Sequence, residues 1–185
     1  RDSLISGKVQ CWGKSGNGRL GQGSHPEGFR RSGLIDGLVE PVTQVDASTD
    51  STCVLTRSGR VLCWGNNRGG QLGPAAQGPD ETAEAVPVPL GSPATQVSID
   101  YGLACALLAE GTVKCWGRGI EEFHEVTDVS EPIAGVEVSR AGLYSRFLCM
   151  TTVLGKVGCQ VVGSSGSEFS NTKWEKPGEL RLTRP

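Results

Sequence analysis

The sequence predicts an all-β fold built of several small antiparallel sheets, one per internal repeat, and three observations carry that expectation. A Cys-Trp-Gly tripeptide recurs at 11–13, 63–65 and 115–117, a step of 52 residues each time. A period near 50 leaves room for one sheet per repeat, whose open faces must be buried by its neighbours. Ahead of the second and third tripeptides lie two short apolar runs around a glycine-ended turn, the pattern of a hairpin. Glycine occurs 27 times in 185 residues and methionine once, a balance that punctuates short strands rather than filling helices.

The elements follow in chain order. Gly18-Arg19-Leu20-Gly21 and Gly70-Gln71-Leu72-Gly73 keep the 52-residue step, as do Thr43-Gln44-Val45 and Thr95-Gln96-Val97. The stretches 53–63, 105–115 and 149–159 each begin and end on cysteine, with Gly59, Gly111 and Gly155 supplying the left-handed backbone of a tight turn. A fourth, decayed copy ends at Cys159-Gln160, where glutamine replaces the tryptophan. The intervals 11–62, 63–114 and 115–158 are the complete repeats. Residues 1–10 and 160–185 read as parts of one further unit, within a single domain spanning 1–185.

The hairpin count sets Cys53 opposite Cys63, Cys105 opposite Cys115 and Cys149 opposite Cys159, within disulfide reach across a strand pair. Reduced, buried cysteines are the alternative. Three equal separations around turns favour disulfides and an oxidising, extracytoplasmic compartment. With two histidines and no Cys-x-x-Cys, zinc is not expected. Cys11 is the odd cysteine, because its hairpin partner falls at Arg1. It is read as a free thiol, as a thiol whose partner was trimmed away, or as half of an intermolecular disulfide. The chain does not begin with Met, which reads as processing or trimming.

The run from Cys63 to Gly73, Cys-Trp-Gly-Asn-Asn-Arg-Gly-Gly-Gln-Leu-Gly, resembles the regulator of chromosome condensation repeat. The hairpin at 105–117, Cys-Ala-Leu-Leu-Ala-Glu-Gly-Thr-Val-Lys-Cys-Trp-Gly, looks like its cysteine-bearing bacterial variety. The resemblance covers roughly residues 1 to 159 and implies a β-propeller, usually of seven blades. Seven blades of about 50 residues need about 350 residues, so the expectation here is a propeller or propeller segment of about four blades. Three are complete repeats and one is split. Trp12, Trp64 and Trp116 are expected to pack between blades, with Leu20 and Leu72 turned inward. The open ends leave three outcomes: a small closed ring, a ring completed by a second copy or another protein, or a piece of a longer polypeptide.

Function is less legible. A net charge of −2 supplies no basic face for nucleic acid. No apolar run reaches the length of a membrane-spanning helix. Gly16 to Gly21 satisfies Gly-x-Gly-x-x-Gly, yet no helix can start at the Gly-Ser-His-Pro that follows, and Arg68 replaces the first glycine one repeat later. No cofactor and no metal are expected. Glu121, Glu122, His124, Glu125 and Asp128 read as a solvated charged loop, and with His25 in another loop there is no catalytic constellation.

Phe29, Arg30 and Arg31, in a loop insertion at 23–33, and Tyr144, Arg146 and Phe147 are candidate partner contacts, since aromatic and arginine side chains dominate interface energetics. The stretches 74–93 and 118–131 also read as loops. The expected function is a non-catalytic, secreted or periplasmic module that binds a protein partner or a second copy, with a small-molecule ligand not expected. Family resemblance implies protein-binding roles, including nucleotide exchange on a small GTPase. The alternatives are a carbohydrate-binding propeller, disfavoured because the loops differ between repeats, and an exchange-type regulator.

Overall fold

The computed structural model describes residues 7–23, 28–35, 37–74, 80–117, 120–126, 129–141, 145–162 and 173–175. These residues contain fourteen strands and no helix. The first sheet has two strands, β1 (Gln10–Ser15) and β2 (Gly28–Leu34). The second holds β3 (Val42–Ala47), β4 (Ser51–Thr56), β5 (Val61–Asn66) and β6 (Glu81–Pro87) in that order. The third repeats this with β7 (Ala94–Asp100), β8 (Leu103–Leu108), β9 (Val113–Gly117) and β10 (Ile120–Val126). The fourth holds β11 (Ile133–Ala141), β12 (Ser145–Thr152), β13 (Val157–Val162) and β14 (Lys173–Glu175). All pairings are antiparallel meanders, so the chain is a run of propeller blades, three four-stranded and one two-stranded. Each Cys-Trp-Gly falls within a sheet, so a blade takes its inner strands from one sequence interval and its outer strands from the next.

Why the strands are continuously apolar follows from the stacking. In β4, β5 and β8 every residue is buried, because each sheet is covered on both faces and period-2 alternation of polarity is lost. Val54, Leu62 and Trp64 face the first sheet and pack with Val9 and Ile35. Their neighbours Cys53, Leu55, Val61 and Cys63 face the third sheet and pack against Ala104, Ala106 and Trp116. The third sheet presents Leu103, Cys105, Leu107 and Val113 to Val136, Leu148 and Met150 of the fourth. Each fully buried aliphatic side chain contributes about 1.5–3 kcal/mol, and every interior sheet supplies such side chains to two interfaces.

The repeated Thr-Gln has a mechanical role. Thr43 and Thr95 sit at bulges where β3 meets β4 and β7 meets β8. Their hydroxyls donate to Leu55 O and Leu107 O, both at 3.2 Å. The glutamine that follows reaches the innermost strand of the next blade. Gln44 donates through Nε2 to Val97 O (2.8 Å) and accepts at Oε1 from Val97 N (3.0 Å). Gln96 does the same to Val136, at 2.9 Å in both directions. Two residues on, Asp46 accepts from Ile99 N (2.8 Å) and Ser98 from Val138 N (3.0 Å). Each amide side chain thus mimics a neighbouring peptide group and closes the otherwise open edge of an inner strand. In the fourth sheet the corresponding places are Ala134, Gly135 and Glu137.

Three stretches expected as loops contain strands. Gly28–Leu34, Glu81–Pro87 and Ile120–Val126 form the outer strands β2, β6 and β10. Their polar sequences carry no strand period, and pairing with β1, β5 and β9 sets their conformation. His124 accordingly stands in β10 opposite Cys115, half-buried, and burial pushes its pKa below the usual histidine range. Glu125 beside it pairs with Lys114 at 3.1 Å. His25 and Asp128 lie outside the described residues.

Candidate functional site

The turns that join inner strands, and the loops that leave the third strands, share one rim of the blade stack. Between the second and third blades this rim holds a hollow of about 280 Å³ lined by Asp50, Asn66, Arg68, Gln71 and Tyr101. Its floor is the Gly70-Gln71-Leu72-Gly73 turn. Asn67 Oδ1 accepts from Leu72 N at 3.1 Å, and Gln71 Oε1 accepts from Gly69 N at 2.8 Å. Gln71 Nε2 donates to Ser51 Oγ at 3.2 Å, while Ser51 Oγ donates to Asn66 O at 3.0 Å. Leu72 is buried beneath, and Gln71 and Asn66 are buried polar groups held by these bonds.

The turn also locks adjacent blades. Trp116 Nε1 donates to Gln71 O, and one repeat earlier Trp64 Nε1 donates to Arg19 O, both at 3.0 Å. Both indoles have no exposed surface, and Leu20 and Leu72 are buried with them. Trp12, expected to pack in the same way, is 70% exposed. Among the described residues no blade precedes the first two-stranded sheet and none covers that face. Trp116 also meets Phe123 edge-on at 5.9 Å, a contact the loop reading of 118–131 missed.

On the outer wall of the hollow, Arg68 pairs with Asp80 at 3.5 Å, both largely exposed. Tyr101 takes a positive φ of 37°, an uncommon state for a bulky residue that concentrates at functional sites and tight turns. Its carbonyl accepts from Arg146 Nε at 3.2 Å. Arg146 is therefore buried and ties the fourth blade to the third blade's turn, while Phe147 follows it half-buried in β12. Tyr144 lies outside the described residues. Phe29, Arg30 and Arg31 run along β2, where Lys14 pairs with Phe29 and Gly13 with Arg30 at the end of β1 near this rim. Asp50, Arg68 and Tyr101 were not singled out from sequence, because only the meeting of two blades brings them together.

The opposite rim carries the three hairpin turns. Glu40 is hydrogen-bonded by Ser58 and by Arg60, the latter at 3.0 Å, and Lys156 bonds Glu131 in the fourth blade. Ser58 foremost, then Arg60, holds the Glu40 carboxyl below the usual range, and Lys156 does so for Glu131.

Disulfides join Cys53 to Cys63, Cys105 to Cys115 and Cys149 to Cys159, with Cα–Cα distances of 4.1, 4.0 and 4.1 Å. The first two are sealed between blades; the third lies on the outward face of the fourth sheet, with Cys159 exposed. Cys11 is a free, half-buried cysteine whose thiol pKa burial raises. Among the described residues no cluster of His, Cys, Asp or Glu is placed to hold a metal ion, and no helix is long and apolar enough to cross a membrane.

Comparison with known proteins adds the following. Residues 42–71 match the family model of the regulator of chromosome condensation (RCC1) repeat. Human Protein RCC2 is 29% identical over 117 residues, covering 60% of this chain and 21% of that protein. The crystal structure of Prp20p from Saccharomyces cerevisiae, reported with its binding properties to Gsp1p and histones, superposes with a TM-score of 0.69 at 19% identity. That match covers 85% of this chain and 42% of Prp20p. Human WBSCR16 gives a TM-score of 0.65 at 17% identity, covering 80% and 40%. The chain thus spans about a fifth of RCC2 and two fifths of the solved propellers it matches.

Proposed function

Since residues 42–71 match the regulator of chromosome condensation repeat, we propose that this chain is a non-catalytic protein-interaction module. It works outside the cytoplasm and presents the hollow-bearing rim to a protein partner. The observation that carries the reading is the hollow between Asp50, Arg68 and Tyr101, set on blades locked by Trp–carbonyl and Gln–peptide bonds. A platform fixed in this way loses little conformational entropy on binding. An aromatic ring, a guanidinium and a carboxylate around a concavity suit recognition of a polar protein segment. Three disulfides over ten-residue separations support an oxidising compartment. The binding of Gsp1p and histones reported for Prp20p supports the use of such propellers as protein-binding surfaces.

Photo-crosslinking tests this reading. A photoreactive side chain is placed at position 68 or 101, or at position 110 on the opposite rim, and the folded protein is exposed to the extracellular fraction of its source. One recurrent polypeptide captured from 68 and 101 and not from 110 is the expected result. Equal capture from all three positions overturns the rim assignment, and glycan binding without recurrent capture replaces it with carbohydrate recognition.

A further inference from the structure

At the hollow-bearing rim, two of the three blade junctions among the described residues are bridged by a guanidinium of the chain itself. Arg19 stands eight residues after Cys11, and Gln71 stands eight after Cys63. Asp50, Gly102 and Arg146 likewise share one place, three residues ahead of the first cysteine of each hairpin. In the first junction Arg19 donates from Nε to Gly16 O (2.9 Å) and from Nη1 to Thr49 O (3.1 Å). It thus spans from its own loop to the inner-strand turn of the second blade. In the third junction Arg146 of the fourth blade reaches back to Tyr101 O, which is the equivalent turn carbonyl of the third blade.

The middle junction keeps the backbone of the first and lacks both guanidinium groups. Its indole–carbonyl lock is the same, Trp116 onto Gln71 O for Trp64 onto Arg19 O. Its turn closes with the same bond, Gly73 N to Gly70 O (3.0 Å) for Gly21 N to Gly18 O (2.9 Å). Gln71, in the place of Arg19, folds down into its own blade onto Ser51 and Gly69. Gly102, in the place of Arg146, has no side chain to extend. Between them lies the hollow of about 280 Å³, with Asp50 on its wall. Among the described residues Asp50 has no ion pair, whereas Arg68 is engaged by Asp80. Two carboxylates against one guanidinium leave the surround one charge negative.

We propose that the middle hollow is a receptor for the guanidinium of an arginine in the partner protein, which takes the place that Arg19 and Arg146 fill at the junctions on either side. The inference rests on the protein-interaction reading of this rim and names the group that the partner inserts. Asp50 supplies a charged acceptor, and hydrogen bonds to a carboxylate are about twice as strong as neutral ones. Tyr101, exposed at the edge, supplies an aromatic surface of the kind a guanidinium lies against. The volume falls just below the roughly 300–1,000 Å³ of sites for small organic ligands, which suits one side chain better than a cofactor.

The floor is already set for such a guest. Asn66 Oδ1 accepts from Arg68 N at 2.8 Å, and the Gln71 amide is committed to Gly69 and Ser51. Neither side chain has to be reordered when the hollow fills, which limits the entropic cost of binding. An anionic guest meets Asp50 and finds Arg68 engaged by Asp80. A lysine brings the charge without the planar fork that meets a carboxylate with two parallel bonds.

The test follows fluorine resonances of the whole protein labelled with 3-fluorotyrosine. Tyr101 and Tyr144 are its two tyrosines, and Tyr101→Phe assigns the signals. The probes are acetyl-Gly-Gly-Arg-Gly-Gly-amide and the same peptide with citrulline, lysine or glutamate at the central position. Expected are a saturable Tyr101 shift with arginine, a weaker one with lysine and none with citrulline or glutamate. Asp50→Asn, which keeps the backbone bond from Asn66 N to Asp50 O, should weaken the arginine peptide about tenfold or more. Gln71→Arg should fill the hollow from within and abolish the shift while the Tyr101 signal keeps its folded position. No saturable shift with arginine, an equal one with citrulline or lysine, a preference for glutamate, or a titration unchanged in Asp50→Asn overturns the proposal. Partner capture from positions 68 and 101 beside an inert arginine peptide discards the guanidinium and leaves the rim. A bound arginine peptide with equal capture from every position discards the rim partner and leaves the guanidinium site.

Discussion

Replacing Gln96 by alanine isolates what one inter-blade clamp contributes. The amide holds both the N–H and the C=O of Val136 at 2.9 Å, and Val136 is 2% exposed. Leaving one buried peptide group without a partner costs about 1–3 kcal/mol. Two such groups, beside a half-buried side chain whose removal would admit water to part of the contact, give an expected loss of about 3 kcal/mol. For a chain of this size that lowers Tm by about 6–12 °C. Thermal and urea unfolding followed by circular dichroism measure the loss, and hydrogen exchange at the Val136 amide locates it. Gln44→Ala should behave alike at Val97, while Glu110→Ala on an exposed turn should stay within about 0.5 kcal/mol. Gln96→Glu keeps an acceptor for Val136 N–H but sets a carboxylate against Val136 O. Its defect should therefore be greatest above the carboxylate range and shrink as the pH falls and protonation restores a donor. A Gln96→Ala protein as stable as Glu110→Ala, or one with unchanged Val136 exchange, refutes the clamp.

Further expectations concern other positions. Gly65→Ala and Gly117→Ala should each cost upwards of about 3 kcal/mol, combining positive-φ strain with a collision against a turn carbonyl. Gly13→Ala, with open space around it, should cost only the backbone part, about 1–3 kcal/mol; equal urea midpoints for all three would contradict the carbonyl collision. Burial, with Asp46 and Asp100 nearby, raises the Glu137 pKa, so its contribution is full below the unfolded pKa and lost as pH rises through the folded one. Glu137→Gln should therefore stabilise by less than about 1 kcal/mol at neutral pH, with no gain in acid. Glu40 and Glu131 have depressed pKa values. Their contribution is present above the unfolded value and lost as pH falls through the folded one, and Glu40→Gln with Glu131→Gln should flatten that acid limb in a pH–Tm series. Cys105→Ala with Cys115→Ala should cost about 2.7 kcal/mol by loop-entropy reasoning over ten residues, read by urea midpoint.

What could be read from the sequence was what repeats. Cys-Trp-Gly, Gly-Gln-Leu-Gly and Thr-Gln-Val each recur because one local geometry recurs, so the all-β architecture and the hairpins were visible before any coordinates. The outer strands β2, β6 and β10 were not, because partners rather than their own residues impose their conformation. The fate of Trp12 depended on a neighbour that its own three residues do not encode. The rim hollow escaped for a related reason: Asp50 and Tyr101 lie about one repeat apart and belong to different blades, and no local motif joins them. Arg146 stood out as an exposed anchor by residue type, whereas its guanidinium reaches a carbonyl 45 residues earlier and is buried there.

The placement of the three cystines grades their exposure to chemistry. Among the described residues only the Cys149–Cys159 bridge reaches the surface, so a water-borne reductant meets it first and must wait for neighbouring sheets to part before touching the other two. The order in which sulfurs are released therefore timestamps the breathing of the stack, giving each interior seam a built-in chemical clock.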